Sequence, residues 1–436
     1  MNVLHVVAGE LSGGAARGAY WLHRGLRDIG VDSWVFTNSE ATYGDPSVVT
    51  VTRSKRDKLA TFVRNQTDGQ MASFYRRRTP AMFSTGLLGV DFTKTPEYQA
   101  ADLVHLHWIN AGFVNMRHLA KVDKPMVWTL RDMWPMTGGC HYAMGCERFR
   151  TGCGQCPALG SRAERDFSRY ILRRKARYLP RSMHLVGISH WVSEQARASL
   201  LFRDFDVRTI SNNVDAHEFF PIDKAVAREL LGLHTDKKVI LTGSTSAKDA
   251  YKGFPKFIES LAHLDPARYH LCFFGKLDHS LVDGLGFDYT SLGYLYDSIS
   301  LRLAYSAADV FIAPSLMEAF GKTLTESMAC GTPVVCFDAT GPKDIVSHLA
   351  DGYKAPPFEA SGLAEGVEWV CNHPHYPALC RVAREKVLRE FDSPVIARQY
   401  LALYQEALTE TETSPAGGRA SEPTPSQPPF ANWTNR

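Results

Sequence analysis

The sequence predicts an α/β protein of two doubly wound domains, and three observations carry that prediction. Short apolar, β-branched runs recur along the chain: "NVLHVVA", "DSWVFT", "ADLVHLH", "PMVWTL" and "HLVGIS", then "KVILTGS", "YHLCFFG", "DVFIAPS" and "TPVVCFD". Helical apolar spacing separates them, and continuous apolar strands between helices imply parallel sheets covered on both faces. At 436 residues the chain is too long for one ordinary core, so two domains are expected.

The first set of strands ends near Ser189 and the second opens with "VRTISNNVD" at Val207. A boundary at residue 205 gives an amino-terminal Rossmann-like domain over 1–205 and a second over 206–390. "DSPVIARQYLALYQEALTE" has the apolar spacing of a last helix over 391–410, and the Pro-, Gly- and Ser-rich residues 411–436 read as a disordered tail. Ligands of such sheets bind beyond the carboxyl ends of the strands, so the expected site is a central cleft that both domains face.

Composition narrows the class. The hydrophobic share is 44% and the charged share 22%, and no apolar run approaches the roughly 18 residues that span a bilayer. "MNVLHVVAGELSGG" lacks a basic n-region and runs straight into glycines, so it reads as strand and loop rather than export signal, and a cytoplasmic location is expected. Net charge is only +3, yet Arg53–Arg78 and Arg162–Arg181 each hold eight Lys/Arg against two acids. Such runs are either solvated helix faces or the contact for an anionic partner. Phe167, Tyr170, Ile171, Tyr178 and Leu179 would supply an apolar stripe beside the second run, which suits either an anionic lipid surface, at the inner face of the plasma membrane, or a phosphate-bearing acceptor. No recognition module for nucleic acid accompanies the charge.

Four elements carry chemistry. Gly13 and Gly14 follow the first strand and open a helix, where backbone amides admit an anion or simply make a tight turn. His105 and His107 share one face at the end of a strand; His105 reads as a packed core histidine and His107, at the exit, as the functional candidate. Lys252 and Gly253 precede a helical pattern, placing an ammonium where it either meets a diphosphate or stays solvated. In "PSLMEAFGKTLTESMACGTPVV", Glu318 falls in a loop and Glu326 on the following helix. Each alone is equally a helix-terminal or surface acid, but as carboxylates they accept bonds from hydroxyls, and the Phe320, Gly321 and Lys322 amides between them suit phosphate oxygens.

Taken together, Gly-Gly after the first strand, His107 in "HLHW", "YKGF" at 251–254, and Glu318 with seven residues before Glu326 and "MACGTPVV" resemble retaining family 4 glycosyltransferases of the GT-B fold. The likeness covers residues 1–410, and "VWTLRDMWPMTGGCHYAMGCERFRTGCGQCPAL" is similar to the bacterial exopolysaccharide branch that includes colanic-acid enzymes. It implies transfer of a hexose from a nucleotide sugar donor to a lipid-linked or glycan acceptor, with no catalytic metal or other cofactor. Residue by residue, it implies ribose binding by Glu326, sugar hydroxyl contacts by Glu318, diphosphate contacts by Gly14 and Lys252, and orientation of the reacting groups by His107. Two positions depart from the family: Arg131 replaces a histidine, and Ser246 replaces an arginine whose place Lys248 would take. Gly13, Arg131 and Lys248 are therefore the further candidates for diphosphate or acceptor contact. A non-catalytic nucleotide-sugar-binding protein, an epimerase and a phosphorylase share this fold and are the alternatives.

Cys140, Cys146, Cys153 and Cys156, spaced x5, x6 and x2 in the loop 140–156, would close a structural zinc knuckle. His141 would replace one ligand. Free thiols and an iron–sulfur site are the other readings.

Overall fold

The structure is a computed structural model that describes residues 1–11, 13–40, 43–246 and 249–413. Lys248 lies outside the described residues, as does the expected tail from residue 414 onward. Among the described residues no helix is long and apolar enough to cross a membrane.

Seven parallel strands form the first sheet: β1 (Asn2–Val7), β2 (Asp32–Thr37), β3 (Val48–Thr50), β4 (Leu103–Leu106), β5 (Met126–Leu130), β6 (Met183–Gly187) and β7 (Val207–Thr209). Six form the second: β8 (Lys238–Ser246), β9 (Tyr269–Lys276), β10 (Asp288–Ser291), β11 (Val310–Ala313), β12 (Val334–Phe337) and β13 (Gly352–Ala355). Their orders, β3-β2-β1-β4-β5-β6-β7 and β10-β9-β8-β11-β12-β13, each reverse once, between β1 and β4 and between β8 and β11. Every pairing is parallel. The central strands are buried throughout because helices cover both faces, as their unbroken apolar runs require.

Two boundaries differ from expectation. Val207 belongs to the first sheet, since β7 pairs with β6 at its edge, so the first domain extends past 205. The last helix, expected over 391–410, spans Ser393–Thr413 and packs on the first domain. Ile396, Ala397, Tyr400 and Tyr404 share one core with Val3, Leu22, Leu103 and Val127. A helix with this apolar face is stable only where the face is buried, and the amino-terminal sheet and the Gly14–Asp28 helix offer the surface.

Candidate functional site

Both strand-order reversals open onto one cavity of about 400 Å³. Glu10, Gly13, Gly14 and Arg17 line it from the first domain; Lys252, Glu318, Lys322 and Glu326 line it from the second.

On the second side, one glycine brings the key residues together. Gly253 has φ +68°, and a Cβ there would fall 1.8 Å from the Pro314 carbonyl oxygen. The close approach is sealed by the Leu316 amide, which donates to the Tyr251 carbonyl at 2.8 Å. Lys252, carried by this turn, lies 2.5 Å from Glu318. Burial disfavours its charge, but the Glu318 carboxylate outweighs that and raises the Lys252 pKa. Glu318 is itself fixed by its backbone: its carbonyl accepts from Gly341 at 2.9 Å and its amide donates to Thr340 Oγ1 at 3.3 Å.

Glu326 sits on the Lys322–Ala329 helix, only 4% exposed. Tyr305 Oη donates to it at 3.0 Å, and Lys322 Nζ stands 3.8 Å away. It is therefore no surface glutamate: a buried carboxylate held by a phenol needs a partner that justifies its burial. Burial, with Arg17 and Arg131 nearby, holds the Lys322 ammonium well below a lysine's ordinary range, against the pull of Glu326. Its Nζ rests 3.6 Å from the Trp21 ring centre, so the helix of the second domain touches the first.

Across the cleft, Gly13 caps the Gly14–Asp28 helix with no side-chain hydrogen bond, leaving the exposed glycines to face the cavity. Arg17, one turn along, stacks on Trp21 at 4.6 Å. Its carboxylate neighbour Glu218 is 3.7 Å away and binds Arg24 more closely, at 2.8 Å, which leaves Arg17 weakly neutralised at the cavity wall.

His105 is the packed core histidine expected, but His107 departs from expectation. His105 and His107 do share a face, with rings 3.9 Å apart, but both are buried and neither lines the cavity. His107 Nε2 meets His5 Nδ1 at 2.8 Å and its Nδ1 meets Arg131 at 3.3 Å; His105 bridges Tyr404 and Thr129. Burial holds all three imidazoles well below their usual pKa, hence neutral. His5, His105 and His107 are also the one group among the described residues whose ligand atoms gather closely enough for a metal. The Arg131 cation against His107 opposes a metal there, and the cluster is a hydrogen-bonded wall behind the site. Arg131 donates to Asn212 at 2.5 Å through space that only Gly18 leaves open, and burial lowers its pKa to about 10. It too stands behind the cavity. Phe320 and Gly321 do not line the cavity either: Phe320 is a core residue packed on Phe391.

The cysteine loop needs a larger correction. Its four thiols are neighbours, and burial together with Cys156 and Cys146 pushes Cys140 up to about 12. They do not gather to within 4.8 Å as three or more ligands, whereas a zinc tetrahedron with bonds of ~2.3 Å holds sulfurs about 3.8 Å apart. His141 is no substitute ligand, because Nδ1 is bound to Asp132 at 2.6 Å and Nε2 to Ser84 at 2.9 Å. Polar contacts order the loop instead. Buried Lys175 donates to the Trp134 and Thr137 carbonyls and lies 3.6 Å from the Trp134 ring centre, with burial lowering its pKa to about 7.

So ordered, the loop delivers Tyr142 to the second domain, 5.2 Å from Tyr251. Burial, followed by the nearby Glu318 charge, raises its pKa well above the ordinary value. Arg17 and Tyr305 line the cavity and are the site residues that sequence reasoning missed, with Tyr142 packed against Tyr251. Arg17, one helical turn beyond Gly13-Gly14, was the recoverable one; nothing local marks Tyr305 or Tyr142.

Known proteins are similar to this chain. The model described as Glycosyltransferase Family 4 matches residues 12–218, and the one described as Glycosyl transferases group 1 matches residues 223–386. A putative colanic acid biosynthesis glycosyl transferase, WcaC of Escherichia coli K12, is 26% identical over 56% of this chain, and the match spans 60% of that relative. D-inositol 3-phosphate glycosyltransferase of Saccharomonospora viridis is 26% identical over 87% of this chain and 86% of its own. Among solved structures, Anabaena Alr3699/HepE in complex with UDP and glucose aligns with a TM-score of 0.61 at 18% identity, covering 93% of this chain and 100% of that one. The fold is GT-B.

Proposed function

We propose that this chain, a Glycosyltransferase Family 4 domain followed by a Glycosyl transferases group 1 domain in the GT-B arrangement, transfers a hexose from a nucleoside diphosphate sugar. The acceptor is a hydroxyl of a lipid-linked or glycan chain in bacterial polysaccharide assembly, the setting is the cytoplasm, and the anomeric configuration is retained. One observation carries the reading: a single cavity holds two carboxylates, Glu318 and Glu326, each fixed beside a lysine. Carboxylates take hydroxyls and ammonium groups take phosphate, so the order sugar, diphosphate, ribose fits the order of side chains. The UDP and glucose named for the Anabaena neighbour are in keeping with a nucleotide sugar donor.

In this reading Glu326 binds the ribose and Glu318 binds donor hydroxyls beside the anomeric carbon. Gly13 and Gly14 amides, Arg17, Lys252 and Lys322 hold the diphosphate. As the bond from the anomeric carbon to phosphate oxygen breaks, negative charge grows on the phosphate, and cations already in place stabilise it. The acceptor hydroxyl attacks from the same face, its oxygen forms the new bond, and its proton passes to the departing phosphate. No side chain becomes covalently attached, and no metal takes part. His107 acts through Arg131, as a positioning residue.

Released nucleotide is the test. Incubated with UDP-, GDP- and ADP-sugars, the protein is expected to release nucleotide from one class, faster with a polyprenyl-diphosphate saccharide acceptor. Binding without release would identify a non-catalytic protein, and phosphate-dependent release of a sugar phosphate would identify a phosphorylase.

A further inference from the structure

We propose that the face where the two basic segments of the first domain meet docks this protein on an anionic lipid bilayer. The segments are far apart in the chain but adjacent in space: the Phe167 amide donates to Tyr75 Oη at 3.0 Å, and the Phe74 ring lies 5.6 Å from Phe167. Phe167 stacks in turn on Tyr170 at 6.0 Å. Phe74 is 65% exposed and Tyr170 52%, although each has an aromatic neighbour on one side. Ile171, expected on this stripe, points into the core instead.

Exposed Arg76, Arg77, Arg165 and Arg177 belong to the same two segments. The local acids are engaged elsewhere. Asp57 closes the capping box of the Lys55–Gln70 helix, and buried Asp68 binds Thr85. Asp166 caps the Phe167–Tyr178 helix, and Glu164 pairs with Arg169. The face is thus cationic, with eight Lys/Arg against two acids in each segment.

The Lys55–Gln70 helix leads into this face and buries only Asp68. Leu59, Phe62 and Val63, at i, i+3 and i+4, are 64%, 61% and 51% exposed, with Lys55 and Arg56 a turn earlier. Packing within the chain gives no reason for such a stripe. A bilayer takes both features, since apolar side chains enter the acyl boundary while arginines meet headgroup phosphates. A two-fold contact with a second copy would set arginines against arginines, and a soluble polyanion leaves the apolar stripe bare.

Flotation of the full chain with vesicles tests the proposal. Vesicles of phosphatidylcholine with phosphatidylglycerol are expected to carry the protein, and pure phosphatidylcholine vesicles at least tenfold less. Phe74→Ser with Tyr170→Ser, and separately Arg76→Glu with Arg77→Glu and Arg177→Glu, are each expected to lower binding about tenfold while nucleotide release and melting temperature hold. Phe62→Ser with Val63→Ser is a second apolar variant should the first melt early. Equal binding to both vesicle types, or full binding by every folded variant, overturns the proposal. Self-association without lipid that these substitutions abolish overturns it too, in favour of a second copy.

Discussion

Glu318 and Lys252 are paired at 2.5 Å; on the proposed reading a donor diphosphate would compete for that contact and release the carboxylate to the sugar. Glu318→Gln keeps the shape but loses the charge, so turnover is expected to fall on the order of 10²-fold with nucleotide affinity nearly kept. Unchanged nucleotide release would remove Glu318 from the chemistry. Tyr305→Phe deprives buried Glu326 of its 3.0 Å donor. An unmade bond of that kind costs about 1–2 kcal/mol, a roughly 5- to 30-fold loss in donor kcat/KM with little change in melting. Lys322 makes a pH prediction. Its free-state pKa is depressed, and a diphosphate raises it, so binding takes up a proton between the two values. Donor affinity should then fall as pH rises through that window. Calorimetry in buffers of different ionisation heat is expected to show uptake that Lys322→Met abolishes; equal heats after buffer correction would contradict this.

Among the elements, Gly253 shows how a loop is set by a single residue. With φ +68° and Pro314 in the way, Gly253→Ala is expected to cost roughly 1–3 kcal/mol and to separate Lys252 from Glu318, lowering the melting temperature and turnover together. The cysteine loop is expected to hold less than one zinc per chain by elemental analysis of reduced protein; one per chain would show that the metal draws the sulfurs in. All nine apolar runs read from the sequence are strands. The four strands outside those runs, β3, β7, β10 and β13, are the four sheet edges, and only β7 of them is legible in the sequence, as the opening of the second set. Each is three or four residues long and partly exposed, so it carries neither the length nor the unbroken apolar run that marks a central strand. The same limit moved the boundary, because β7 is an edge strand. His107 misled for a related reason: alternation fixes which face a side chain takes, but not what His5 and Arg131 place against it.

At the scale of the molecule, the two domains meet through a few specific contacts: Ser189 Oγ on the Ala319 carbonyl at 2.7 Å, the Trp191 amide on Asp344 at 3.0 Å, and Lys322 on Trp21. Of these residues Lys322 also lines the cavity, so on the proposed reading donor binding and domain contact share that lysine. Motif order made the Glu318–Glu326 segment and the glycine pair legible, with Arg17 one helical turn beyond the pair, whereas Tyr305 reaches the cleft only through tertiary packing. The central claim is that this cavity binds a nucleotide sugar through Glu326 and Lys252. Thermal melting of the wild type, Glu326→Gln and Lys252→Met with UDP-, GDP- and ADP-sugars tests it most directly. One nucleotide class should raise the wild-type melting temperature and leave both variants unmoved; no shift with any class, or equal shifts in all three proteins, would contradict it.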